Sequence, residues 1–422
     1  QVFRCLFSCI ILAFPVSAYV NVNAAIFLVR SFFLVASSSS SSSSASLLRP
    51  AAGRQSPSSV RTSSSLSSSS SGRWGLIRPN RMLTLSPSFN GTAMGSALAG
   101  GLLCGCTVVF KTSVMGGVLG ISNYTKRIFV QPESSRRLFI FGLIAAGRLG
   151  SMCLGLVEPP ALPLTGAQAL RILVGTLLTG GGANIQCGCT SGHGLTGLAR
   201  LSIRSLVSVP LFMASGCLTA TLLGTQAAFP SQAAVEAAMP AASTVAAISA
   251  AVVAVLAGIA GVLKCKGKSV EEKASYPLLY NAGELVSGSS FGLGLALSGM
   301  SRPSKVASFL DLSAPWDGSL MFVMGGALLM TLPYFQFVQK KQEKPILGKS
   351  FDLPALTGII DKKLVLGALI FGCGWGTGGM CPGPIWVNAG AALTPEALLA
   401  LAGLAGGVVA ADRLVVPMIN KL

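Results

Sequence analysis

From about residue 90 to its end, the chain alternates long apolar runs with short polar loops. Nine apolar segments recur, at roughly 93–110, 138–157, 169–186, 205–225, 246–263, 280–300, 318–338, 364–375 and 397–417. Most approach the ~20 residues that a helix needs to cross a bilayer, which predicts an all-α polytopic membrane protein of about nine spanning helices. Between the long runs lie four shorter pieces marked by glycine or proline: Lys111–Ser122, Cys187–Leu201, Arg302–Ser313 and Gly378–Ala391. They are too short to cross alone and are expected as re-entrant helical segments, since irregular backbone at membrane depth survives only where it is buried in protein or lines a cavity.

Two landmarks repeat. Val118-Leu119-Gly120-Ile121-Ser122 resembles Phe309-Leu310-Asp311-Leu312-Ser313 at an offset of 191, and Gly180–Cys189 resembles Gly372–Cys381 at an offset of 192. Four segments, one linker segment and four more place the halves in opposite orientation, an inverted repeat of the kind that builds transporters around a midplane site. The expected divisions are residues 1–88 (a leader), 89–228 (first repeat), 229–275 (linker helix and basic loop) and 276–422 (second repeat).

Composition agrees with a membrane solvent. Of 422 residues, 51% are hydrophobic and only 10% charged, with a mean hydropathy of +0.68; a soluble domain carries about 25% charged residues. The net charge of +18 does not indicate nucleic acid, because the basic residues beyond the leader fall in loops. Loops after odd-numbered segments hold Lys111, Lys126, Arg127, Arg136, Arg137, Arg200, Arg204, Lys264, Lys266, Lys268, Lys273, Lys340, Lys341, Lys344, Lys349, Lys362 and Lys363, whereas loops after even-numbered segments hold Arg302 and Lys305. Arg171 at the start of the third segment leaves this asymmetry unchanged. It puts the odd loops and the C-terminus on the cytoplasmic or equivalent side.

The leader is a different material. An apolar stretch precedes the serine runs Ser37–Ser44 and Ser67–Ser71, arginines are scattered through it, and the first acidic residue is Glu133. Serine- and arginine-rich, acid-poor sequence is typical of organellar targeting segments; plasma and organellar (plastid or mitochondrial) membranes both fit.

Candidate chemistry lies in the repeated breaks. Cys189, preceded by Gly188, and Cys381, preceded by Gly379 and Met380, occupy corresponding positions. A thiol is a soft, polarizable group and a weak donor, suited to a sulfur-bearing anion, while helix N-termini aimed at a path offer positive dipole ends without formal charge. Cys104 and Cys106, near the first re-entrant element, are candidates for a third thiol. Cys153 and Cys217 are expected to be small packed residues. His193, the one histidine, forms Cys-x-Cys-x3-His with Cys187 and Cys189, a pattern open to zinc or copper but unlike common structural sites; a hydrogen-bonding role near the path fits it better. Arg148 lies inside the second segment, either as a functional charge or paired with a backbone carbonyl. No nucleotide-binding loop is evident, and no cofactor is expected.

Three blocks of sequence resemble the YeeE/YedE sulfur-transport family: Gly188–Leu195 with Gly197–Ser202, Ser298–Val306 with Phe309–Asp311, and Gly378–Pro384. The resemblance covers about residue 90 to the end. It implies an integral membrane carrier with pseudo-symmetric halves that takes up thiosulfate or a related sulfur anion along a relay of cysteines. Cys189 and Cys381 match two of these, and Cys104 or Cys106 matches a third loosely. The resemblance also implies a soluble sulfurtransferase partner. An alternative within the same chemistry is a sulfur-relay protein or enzyme that forms a persulfide on Cys189 or Cys381.

Overall fold

The computed structural model describes residues 91–130, 134–156, 164–229, 240–265, 277–313 and 315–421; the leader expected over residues 1–88 lies outside them. Every one of the nine apolar segments coincides with a helix. In chain order the helices are α1 Gly91–Phe110, α2 Ile121–Phe129, α3 Ser134–Leu154, α4 Gly166–Ile185, α5 Ile203–Leu223, α6 Ala242–Cys265, α7 Pro277–Leu297, α8 Pro303–Leu310, α9 Met321–Pro333, α10 Lys362–Gly378, α11 Pro382–Ala391, α12 Pro395–Ala410 and α13 Val416–Lys421. Wide helical turns prolong α1 through Met115, α9 through Val338 and α12 through Val415. Among the described residues, seven helices are long and apolar enough to cross a membrane. Two further helices of spanning length, α4 and α7 (20 and 21 residues), stand outside that set: α4 carries Gln168, Arg171 and Asn184 among its glycines, and α7 carries Asn281 and Glu284 among its glycines and serines.

Helix α4 packs on α10 and α12, and α5 packs on α10. Helix α3 packs on α7 and α11, and α1 contacts α9, α7 and α6. These contacts are close because glycine fills them. A Cβ on Gly142 of α3 would lie 2.5 Å from the Leu285 carbonyl oxygen of α7, one on Gly105 of α1 would lie 2.6 Å from that of Ala327 in α9, and one on Gly175 of α4 would lie 2.6 Å from the Gly378 backbone in α10. Lipid competes for apolar side chains as well as another helix does, so small residues that bring backbones together carry much of helix association in a membrane.

Short helices occupy three of the four predicted re-entrant places: the turn Thr190–Gly197, α8 and α11. The first place differs. Lys111–Met115 continues α1 and ends at Gly116 in the left-handed region (φ 81°), so the short helix there is α2, starting only at Ile121. The 191-offset landmark splits accordingly: Val118–Ser122 leads into α2, whereas Phe309–Ser313 closes α8. The 192-offset landmark keeps its conformation. Cys187 (φ 61°) and Gly379 (φ 65°) are both left-handed, and two residues later Cys189 and Cys381 are both extended and both open a short helical element.

Three residues counted as loop charges are buried. Lys111 pairs with Glu284 at 2.7 Å, and Lys305 pairs with Asp317 at 3.1 Å. Arg302 donates to the carbonyls of Gly155 and Leu156, just past the end of α3, at 3.2 and 3.3 Å. Each cation found a local counter-charge or free carbonyl, which loop position alone does not reveal. Cys217 is half-buried, as a packed residue would be, but Cys153 is exposed on the face of α3 that also carries Met152 and Leu149.

Substituting Gly142→Ala is expected to destabilise the detergent-solubilised protein by about 1–3 kcal/mol through overpacking. Gly258→Ala in α6, where a Cβ meets nothing within 4 Å, is expected to be neutral or slightly stabilising. Thermal unfolding of the two variants side by side checks the difference.

Candidate functional site

The second break of the first half is built from the end of α4 outward. The Gly188 N–H bonds the Ala183 carbonyl at 2.9 Å and the Cys187 N–H bonds that of Asn184 at 3.2 Å. This six-to-one, five-to-two pair is a Schellman closure, in which glycine is the usual left-handed residue; here it is Cys187, at some cost in backbone strain. Past it, the Cys189 carbonyl accepts the His193 N–H at 2.8 Å and starts the turn Thr190–Gly197.

His193 holds this turn shut. Its Nε2 lies 3.4 Å from the Gln186 carbonyl and its Nδ1 lies 3.0 Å from Ser205 Oγ. A carbonyl only accepts, so Nε2 carries the proton and the neutral ring's Nδ1 accepts from the Ser205 hydroxyl. The ring is buried, which favours its neutral form. A Cβ on Gly188 would come within 2.5 Å of Nε2, so glycine there makes room for the ring.

The two repeated cysteines meet at this turn. Cys189 (1% exposed) and Cys381 (2% exposed) are both buried. Cys189 Sγ is 3.2 Å from Ser191 Oγ. Thr190 Oγ1 donates to Cys381 Sγ at 3.6 Å, crossing between parts of the chain 191 residues apart. Ser191 Oγ also accepts the Ile121 N–H, which opens α2, at 3.2 Å. Gly120 and Gly192 sit side by side, and a Cβ on Gly383 of α11 would touch Ile121 Cδ1 and Leu295 Cδ1. On the far side, the left-handed Gly379 abuts the Pro303 carbonyl at the start of α8. The openings of α2, α11 and the Thr190 turn thus converge on two thiols and two hydroxyls.

Helix α11 begins Pro382-Gly383-Pro384, and proline carries no N–H. One backbone donor remains in its first three residues, so the polar contacts at this point come mainly from Thr190, Ser191 and the thiols. Arg148 donates to the Ala391 carbonyl at 3.3 Å, placing a cation at the negative end of α11.

Cys104 and Cys106 do not join this group through any described contact. Cys104 Sγ faces the Phe291 carbonyl at 3.8 Å and fits against Gly294 of α7, and Cys106 lies in the apolar core. Cys187 is exposed. Among the described residues, no three His, Cys, Asp or Glu side chains gather as a metal ion would need. Thr190 and Ser191 were not singled out by sequence reasoning, although both stand beside Cys189 in the repeated motif.

The profile of a family described as Sulphur transport matches residues 24–219, and that of a family of unknown function, DUF6691, matches residues 280–415. A "Probable transporter" of Xylella fastidiosa (strain 9a5c) is 43% identical over 133 residues, covering 31% of this chain and 89% of the relative. The chain belongs to the sulphur-transport (YeeE/YedE) family. A counterpart from strain Temecula1 / ATCC 700964 is 42% identical over 133 residues, 31% of this chain and 88% of its own length. Another "Probable transporter" from strain 9a5c is 34% identical over 129 residues, 30% of this chain and 93% of its own length. No solved structure matches the chain. With seven helices of spanning length and apolarity, this family member is a multi-pass membrane protein.

Exposure separates the thiols chemically. In single-cysteine variants, Cys187 is expected to react with a polar maleimide at least about tenfold faster than Cys189 or Cys381, because thiol modification follows access. Labelling rates read by mass spectrometry check this.

Proposed function

We propose that the protein is a membrane transporter for thiosulfate or a related sulfur-containing anion, which passes between two inverted halves in contact with Cys189 and Cys381. The observation that carries this reading is the meeting of those two buried thiols at equivalent left-handed breaks, linked through Thr190. Support for the inverted halves comes from how the helices exchange partners. Matching α1, α3, α4 and α5 with α7, α9, α10 and α12 in order, the α3–α7 contact has its counterpart in α1–α9, and α4–α12 in α5–α10, while α1–α7 and α4–α10 map onto themselves. With α6 as linker this gives nine crossings.

The charge asymmetry also becomes cleaner. Arg302 and Lys305 of the even-numbered loops are buried beside their partners, as is Lys111 of the odd-numbered group, and the remaining loop cations, Arg171 apart, support an odd-loop cytoplasmic side.

The site suits passage rather than capture. Thiols and hydroxyls offer several weak, soft contacts, and conduction needs binding strong enough to enter but weak enough to leave. Short-helix dipoles favour the anion. A persulfide-forming enzyme would instead want a thiolate activated in an electropositive, partly exposed setting, whereas Cys189 and Cys381 are buried against hydroxyls. Cys104 and Cys106 are assigned here to helix packing.

Replacing Cys189 or Cys381 by Ala is expected to reduce uptake of labelled thiosulfate into proteoliposomes at least about tenfold with unchanged protein insertion. Cys104→Ala is expected to retain most uptake. Wild-type rates in both Cys189→Ala and Cys381→Ala would reject the proposed contact.

A further inference from the structure

Glu284 and Lys111 form an ion pair inside the helical body, each side chain 1% exposed, with Lys111 Nζ 2.7 Å from Glu284 Oε1. Two buried charges facing each other in a membrane protein are costly and mark functional sites by default. This pair is also incompletely satisfied. Glu284 Oε2 is buried without a hydrogen-bond partner among the described residues, and so is Ser287 Oγ on the next turn of α7.

The other buried carboxylates differ. Asp317 accepts from Lys305 and from the Ser319 N–H, and Asp311 accepts from the Gln226 N–H on one oxygen and from Ser313 on the other. Glu396, whose oxygens also lack partners, stands half-buried in the first turn of α12, where the helix dipole favours a negative charge.

We propose that Glu284 is the proton-binding site through which anion passage is coupled to proton movement, a step that rests on the thiosulfate-type transport argued above. A dianion moving toward a negative interior does twice the electrical work of a monoanion, and a proton travelling with it lowers that work. The geometry supplies reciprocal binding. With Glu284 ionised, its carboxylate neutralises Lys111. A proton on Oε2 cancels that charge and leaves the Lys111 ammonium, held 5.4 and 5.8 Å from the Tyr124 and Phe139 ring centres and 3.8 Å from Met115 Sδ, in need of an anion. Proton and anion therefore favour each other's binding.

The pair is connected to the thiols by one short element. Tyr124, stacked on Phe139 at 4.5 Å, belongs to α2, and one turn earlier the Ile121 N–H opens that helix against Ser191 beside Cys189. Charged and titratable groups facing the pair are Tyr124 from α2 and Arg136 from the start of α3, itself 5.9 Å from the Tyr124 ring and 4.0 Å from Asp352. The neighbouring apolar cluster brings in Tyr280 of α7 with Leu256 and Leu263 of α6; Lys264 of α6 is exposed, and α11 carries no ionisable side chain.

The test uses the full chain in proteoliposomes holding a pH-sensitive dye, with labelled thiosulfate followed in the same vesicles. In the wild type, an inward thiosulfate gradient is expected to acidify the lumen. Glu284→Gln is expected to lose at least tenfold of that proton movement and of net uptake, while still exchanging labelled for unlabelled thiosulfate. Should Glu284→Gln misfold, Lys111→Gln/Glu284→Gln, neutral at both positions, serves in its place for proton movement and net uptake, both expected to fall at least tenfold, while exchange is read only where Lys111 is kept. Undiminished proton movement in whichever variant is used would overturn the assignment to Glu284. Wild-type uptake without proton movement would overturn coupling and leave the transporter reading intact. No wild-type uptake of thiosulfate, sulfite or sulfate would overturn the transporter reading and the coupling with it.

Discussion

A chain that interrupts a helix at membrane depth must find new partners for every N–H and C=O it frees, because no water is available in the hydrocarbon to supply them. Much of this architecture answers that demand. The end of α4 is closed by a Schellman pair, with the Gly188 and Cys187 N–H groups returning to Ala183 and Asn184. The carbonyls past α3 are capped by Arg302, and the Ala391 carbonyl ending α11 by Arg148. The N–H that opens α2 is taken by Ser191. Each break is thereby buried in protein, and where three of the openings converge the remaining polar atoms are two thiols and two hydroxyls.

Close packing and charge burial follow from the same constraint. Short helices reach the centre only if the long helices around them leave little gap, and the glycine contacts of α1 with α9, α3 with α7 and α4 with α10 bring backbones together. Buried cations survive because each meets a carboxylate or a helix-end carbonyl. Lys111, lodged against Glu284, Tyr124 and Phe139, touches α2 at Tyr124, and the Ile121 N–H that opens the same helix is held by Ser191 beside Cys189.

Much of this was legible in the sequence, for identifiable reasons. All nine apolar segments coincide with helices, and among the described residues seven helices are long and apolar enough to cross a membrane. The 192-residue offset also held in detail, since Cys187 and Gly379 share the left-handed conformation and Cys189 and Cys381 the extended one. The extent of α1 was not legible: nothing in Lys111-Thr112-Ser113 announces that the helix continues to Met115. The roles of Lys111, Arg302 and Lys305 were hidden because a cation between apolar runs reads as a loop charge until its partner, up to 173 residues away for Glu284, is placed beside it. Thr190 and Ser191 stood in plain view next to Cys189, but their contacts with Cys381 and Ile121 belong to the fold alone.

The central claim is that Cys189 and Cys381, one from each half, flank a single point on the substrate path. It is tested most directly in a variant that keeps only these two cysteines and carries a protease site in the loop between α6 and α7. After treatment with mercuric ion, which bridges adjacent thiols, and cleavage of that loop, the two halves should stay joined until reductant is added, and thiosulfate should slow the bridging. Halves that separate without reductant would contradict the claim.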